Sequence, residues 1–434
     1  MGAYCSYFQN GLYIDSSKND IDVSILKLIE ENDIKHIKYS DAPKYLIDFI
    51  DLGSVDEDGN ERYYHCVQIN RSVLLDRLEI QGYTLEFSKT MFDFFLKNKI
   101  EEYEDPDYKF MKKELKLLKK IKLSDWIKKL SYIQENKISH FDYKDEFKNS
   151  DKLLHYMLIN DWYGFQGFDV CVFLRILLDI FDDGEFLCDL TDLLSSGYIE
   201  DDHISEMKKR YFKNDKIIIL TEGKSDIEIL SRTLKLLHPH LYSYFAFMDF
   251  ENAKVAGGAG PLTGIVKSFA GVGISNKIVA IYDNDTAAID AARQLTKITL
   301  PSNIKIMYLP EIERLKSYPT IGPAGASDMD INGMTGSIEM YLGHDVLFDA
   351  ISASYYPIQW TGYNSGLKRY QGEIIEKDLV QKMYIDILKA CEEDSSKIED
   401  YDFSDIKLVL ENLLKVFHEF EQELIMKEID QYYI

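Results

Sequence analysis

Two short aliphatic runs, each stopping on a carboxylate, constrain this chain more than any other feature. Lys216-Ile-Ile-Ile-Leu-Thr221 runs into Glu222-Gly223, and Lys277-Ile-Val-Ala-Ile-Tyr282 runs into Asp283-Asn-Asp285. Runs apolar on both faces belong to strands covered by helices on both sides, and such sheets are parallel. The spacing around them agrees. Asp226–Leu237 reads as a helix, Tyr242–Met248 as a strand, and Ala256-Gly-Gly-Ala-Gly-Pro261 as a loop leading into a helix through about Phe269. Thr286–Leu295 is Ala-rich helix and Ile304–Leu309 a fourth strand. Strands alternating with helices imply right-handed βαβ crossovers and a Rossmann-like, mostly parallel sheet.

Ligands of such sheets sit beyond the carboxyl ends of the strands. Glu222 lies just past one strand there, and Asp283 and Asp285 just past another, two positions apart and so on one face in extended backbone. Asp226 follows Glu222 by four residues, in the first turn of the next helix. Carboxylates converging on one crevice repel unless a cation joins them, and all-oxygen ligands suit Mg²⁺ or Mn²⁺. Taken singly, Asp226 and Asp285 are explained by helix capping. The whole set at the ends of two strands is better explained by metal. The Gly257–Gly264 stretch reads equally as a phosphate cradle or as a plain strand-to-helix turn.

The rest of the chain divides around this segment. Residues 1–213 are polar-aromatic with mostly helical spacing, as in Ile21–Ile29, Val73–Leu78, Met91–Leu96 and Val170–Ile180; Tyr4–Ile14, broken by Gly11, suits a strand or hairpin. Asp56–Glu61 is a turn. Nine lysines against Glu114 and Asp125 give residues 109–129 a local charge of +7, whereas the whole chain carries −24. That stretch reads as a solvated amphipathic helix or as a holder of phosphates, with Tyr108 and Trp126 available to stack on bases. Residues 346–434 read as a helical, acidic closing segment. Five cysteines without CxxC spacing exclude a zinc ribbon and point to reduced thiols in a cytoplasm. No apolar run is long enough for a membrane span, and the opening lacks the basic and apolar regions of a signal peptide. Met1-Gly2 followed by Ser6 fits the myristoylation pattern too weakly to be used.

The Glu222-Gly223…Asp283-x-Asp285 pattern in its strand context resembles a Toprim domain, over about residues 214–345. The resemblance implies Mg²⁺-assisted phosphodiester chemistry, with Glu222 as acid/base or metal ligand and Asp283 and Asp285 as metal ligands. Thr221-Glu-Gly-Lys-Ser-Asp226 is similar to OLD-family nucleases. This likeness adds Asp226 to the ligands and implies a second metal held through Ser337 and Glu339, with Lys368 or Lys377 stabilising charge; Lys377 is the preferred candidate. Ser337 as the cap of the helix carrying Glu339 is the purely structural account. The opening Met-Gly-x-Tyr-Cys-Ser, placed before such a domain, is similar to HEPN/Toprim-associated N-terminal domains.

The expected chain is therefore a mainly α N-terminal domain (1–213), an α/β Toprim domain (214–345) and a helical C-terminal segment (346–434). Its implied role is a cytoplasmic endonuclease of anti-phage defence, acting on DNA ahead of RNA. The alternatives are an RNA-cleaving toxin using the same site and a non-catalytic binding subunit. No P-loop is present, so an ATPase would be a separate partner protein; a second copy of the chain is the other expected partner. A HEPN-like pair, Arg232 and His238, falls inside the Asp226–Leu237 helix and its end, where the two side chains diverge.

Overall fold

The computed structural model describes residues 2–138, 150–181, 183–200, 202–212, 216–249 and 256–433. The chain forms two compact units, Met1–Lys213 with Glu421–Ile434, and Asn214–Phe420. Met1 and the residues flanking the 213/214 boundary lie outside the described residues.

The first unit contains the strands β1 (Tyr4–Gln9), β2 (Leu12–Lys18), β3 (Ile34–Lys38), β4 (Tyr63–Asn70) and β5 (Glu185–Asp189). They form one antiparallel sheet in the order β2-β1-β5-β4-β3. The expectation of a mainly helical domain is thus corrected to α+β. β1 carries no aliphatic residue, and β4 only Val67 and Ile69 among Tyr, His, Cys and Gln, so no clean period of two announces the sheet. Tyr4–Ile14 is a hairpin turning at Asn10-Gly11. The helices fall where the spacing put them: Arg71–Ile80, Leu85–Glu104 and Val170–Ile180. The last is apolar on all sides and buried along most of its length, with Arg175 paired to Glu79 at 3.1 Å. All five cysteines are buried and free of disulfides.

The second unit is organised on the strands β6 (Ile217–Leu220), β7 (Phe245–Phe247), β8 (Ile278–Tyr282) and β10 (Ile304–Tyr308). They form a parallel sheet in the order β10-β8-β6-β7. Helices Lys224–Leu237, Ala259–Val272 and Thr286–Ala292 follow β6, β7 and the β8 end respectively. Leu220, Ile278, Ala280 and Tyr282 pack under Leu262 and Val266, so both sheet and helix bury apolar surface.

Two parts depart from expectation. The stretch after Pro319, whose Gly, Asp and Asn content suits a long loop, instead continues a hairpin of β11 (Tyr318–Gly322) and β12 (Gly325–Met329). Residues 354–374, read as helical, are largely strand. After β13 (Thr335–Gly336), β14 (Phe348–Asp349) pairs with β15 (Ser354–Tyr355). Then β16 (Ile358–Asn364) and β17 (Arg369–Ile374) complete a sheet in the order β12-β11-β16-β17. Gly362, Gly366 and Gly372 disfavour helix there, and β-branched and aromatic residues pack on a sheet. Helices resume at Lys377–Glu393, Ser404–Lys415 and His418–Tyr433. No helix among the described residues is long and apolar enough to cross a membrane.

Two-residue strand β9 (Asn284–Asp285) pairs antiparallel with β13, which ties the loop before Glu339 to the end of β8. Gly336 is needed at this crossing, since a Cβ there would stand 2.8 Å from the Asn284 carbonyl oxygen. Gly336→Ala should therefore lower stability by about 1–3 kcal/mol, the usual cost of overpacking, read as a lower melting temperature. An unchanged melting temperature would mean that this crossing relaxes freely.

Candidate metal centre

Each expected carboxylate is positioned by backbone as well as by its place in the chain. Asp283 donates its backbone N–H to Glu222 Oε1 at 3.0 Å, which links the ends of β6 and β8. Gly223 donates its N–H to Asp226 Oδ2 at 2.8 Å, and Ala288 donates to Asp285 Oδ1 at 2.7 Å. Both aspartates therefore do cap their helices. Capping leaves further lone pairs on each carboxylate, so it does not compete with a second role. Gly258, at the start of the Ala259–Val272 helix, donates its N–H to the Glu222 carbonyl at 2.6 Å. The end of the Gly-rich loop is thus fastened beside Glu222.

Electrostatics shows that these groups share one space. Burial, with the charges of Asp285 and Asp226, pushes the Glu222 carboxyl up to about 7 against the opposing Asp283 N–H. Burial and then the Glu339 charge raise Asp226 to about 6. For Asp283, burial and the charges of Asp226, Glu222, Asp285 and Glu339 all act upward, and its carboxyl lies well above the usual range. Asp285 is raised by burial, with its helix N–H groups and Lys377 opposing. Perturbed acids clustered at strand ends are a recognised mark of functional sites.

Glu339 joins this group from the loop that β13 ties down. Its side chain is fully buried (0% exposed), in the short 3₁₀ turn Ile338–Tyr341. Gln381 Nε2 donates to Glu339 Oε1 at 2.5 Å, and Lys377 Nζ lies 3.1 Å from the same oxygen. Glu339 Oε2 has no partner among the described residues. The Lys377 ammonium is lowered by its partial burial, but Glu339, Asp283 and Asp226 outweigh this and hold it above the usual lysine range. Gln381 escaped sequence reasoning; the signal was its position one turn after Lys377, on the same helix face.

Two other candidates fall elsewhere. Ser337 precedes the 3₁₀ turn but makes no side-chain capping bond, so the capping account does not hold for it. Lys368 is exposed at the tip of the β16–β17 hairpin, with φ of 55°. Among the described residues, no three of the site carboxylates bring one oxygen each within 4.8 Å of one another. Holding one ion by three of them would therefore require the side chains to draw closer together.

The lysine-rich stretch belongs to the first unit, in Pro106–Met111, Lys112–Leu118 and Leu123–Glu135. Trp126 is buried (1% exposed) and donates its Nε1–H to the Tyr163 carbonyl at 2.8 Å, so it cannot stack on a base. Tyr108 is packed on Tyr103 and Phe110. Among the described residues only Lys119 and Lys129 of the nine pair with a carboxylate, Glu104 and Asp151. If the others hold phosphates, changing Lys109, Lys112, Lys113 and Lys116 to Gln will weaken nucleic-acid binding uniformly across sequences. The log–log salt slope will flatten by about 0.7–0.9 for each phosphate no longer held. An unchanged slope in an equilibrium binding titration would assign the stretch to a solvated face.

The family model described as HEPN/Toprim N-terminal domain 1 matches residues 1–211. This match over residues 1–211 supports a HEPN/Toprim-associated domain there, in line with the resemblance of the opening residues. No curated protein and no solved structure matches the chain.

Proposed function

We propose that this protein is a metal-dependent nuclease that hydrolyses phosphodiester bonds at the Glu222, Asp226, Asp283, Asp285 and Glu339 cluster. The matched N-terminal domain bears a name that pairs it with nuclease-type proteins, and this supports the class. The observation that carries the reading is Glu339: a fully buried carboxylate, one oxygen of which has no donor among the described residues, whose charge helps raise the carboxyls of Asp226 and Asp283. Five carboxylates against one lysine fit a hard divalent cation, Mg²⁺ or Mn²⁺, and offer nothing to a soft metal.

Asp283 and Asp285 would hold such an ion with Glu222, and Asp226 with Glu339 would hold another. Bound there, the metal supplies charge neutralisation at the phosphate and a water of lowered pKa. This chain's own groups do the rest. Glu222, whose carboxyl burial and neighbouring carboxylates raise to about 7 in the metal-free chain, is placed to take or give the proton at the attacking or leaving oxygen. Lys377 brings positive charge to the side of Glu339, where a phosphate's non-bridging oxygens would need it.

Purified protein incubated with plasmid DNA and with total RNA tests this, in Mg²⁺, Mn²⁺ or EDTA. Cleavage in metal and none in EDTA is expected; cleavage indifferent to EDTA would overturn the reading. The HEPN-like alternative is weakened because Arg232 forks onto Glu392 at 3.0 and 2.7 Å. His238→Ala should accordingly keep full cleavage, and a dead His238→Ala with an active Glu222→Ala would reverse the assignment.

A further inference from the structure

Trp360, Tyr363 and Tyr370 form one aromatic surface on the β16–β17 hairpin. Tyr363 faces Tyr370 in register, with ring centroids 5.1 Å apart, and Trp360 lies 5.4 Å from Tyr370. Tyr363 and Tyr370 are 56% and 46% exposed. Cβ atoms placed on Gly322 and Gly372, in the strands either side of β16, would come within 3.1 and 3.0 Å of the indole. The ring thus lies against two strands that carry no side chain at those points.

The hairpin is bound to the acidic site at three places. Thr286, next to Asp285, donates its hydroxyl to the Tyr370 carbonyl at 2.6 Å. Arg369 donates to the Gly333 carbonyl at 3.0 Å, in the loop that leads to Glu339. Beyond β17 the chain passes directly to Lys377, which pairs with Glu339.

We propose that this surface is a stacking platform for the unpaired bases of a nucleic-acid strand entering the site, an inference that rests on the nuclease reading above. Half-exposed, rigid rings suit bases of any sequence, because every base has a π-face. Lys368 and Arg369 at the hairpin's tip and start have the sign to meet the flanking phosphates. Three rings present a few hundred Å² at most, well below the roughly 1,200–2,000 Å² of a stable protein interface, so a second copy of the chain is the poorer occupant.

Fluorescence anisotropy in EDTA tests binding apart from cleavage. The probes are single-stranded DNA and RNA 20-mers of mixed sequence and an abasic strand of equal length. Wild type should bind the base-bearing strands more tightly than the abasic one, by about 5- to 150-fold per stacked base. Tyr363→Ala with Tyr370→Ala should erase that preference, and Tyr363→Phe should keep it. A wild type that does not distinguish the abasic strand overturns the proposal, whatever the stability of the variants. So does a correctly melting double variant that keeps the preference, or self-association in sedimentation that Tyr363→Ala abolishes while base preference persists. Parallel cleavage of the same strands by wild type in Mg²⁺ separates the two readings. Cleavage without base preference sinks only the platform, and base preference without cleavage sinks only the nuclease.

Discussion

Asp283→Asn combined with Asp285→Asn will cut nuclease activity by at least about 10²-fold, the scale of losing preorganised charge stabilisation, while the metal-free variant melts higher than wild type. The two effects share one cause. Asp283 is crowded by Asp226, Glu222, Asp285 and Glu339, and burial denies it water. Groups that bind protons more tightly folded than unfolded give stability that is full below the unfolded pKa of about 4 and lost as pH rises through the folded value. With Glu222 near 7 and Asp226 near 6, that loss runs from about pH 4 to beyond 7. The melting advantage of the metal-free variant should therefore be large at pH 8 and small at pH 5. Thermal melts in EDTA across that range, with cleavage rates in Mg²⁺, check both halves. A variant that cleaves at the wild-type rate, or melts lower at pH 8, contradicts the assignment.

Glu339→Gln should also lose most activity, for a different reason. Glutamine keeps the shape and can still accept from Gln381, but it removes the charge that pairs with Lys377 and acts on Asp226 and Asp283. If Asp226 and Glu339 hold one ion while Asp283 and Asp285 hold another, Mn²⁺ titration should count two ions in wild type and one in Glu339→Gln. Lys377 is 44% exposed, so water can replace its partner and the fold should change little. Equal Mn²⁺ counts would reduce Glu339 to an anchor for the Lys377–Glu393 helix.

The acidic site was legible because its signals are local and strong. Strands β6 and β8 are aliphatic on both faces, and their last residues fall at the one end of a parallel sheet where ligands gather. Glu339 was reached only by resemblance, since a two-residue pairing of β9 with β13 leaves no periodic trace. The β16–β17 hairpin is not legible as strand because its glycines and polar residues blur alternation, and the aromatic surface it carries is hidden for the same reason. Trp126 misled for a related reason. Its lysine neighbours mark an exposed face, but the helix turns the indole inward, where Tyr163 offers a carbonyl. The apolar run Val170–Ile180 coincides with its helix, which Asp169 caps by accepting from Cys171 and Val172.

The most direct test of the central claim is Mn²⁺ anomalous scattering from crystals of this protein. The account predicts a strong anomalous peak ligated by Asp283 and Asp285, with Glu222 in contact and a second peak roughly 3.5–4 Å away toward Asp226 and Glu339. Crystals saturated with Mn²⁺ that show no peak among these carboxylates would contradict it.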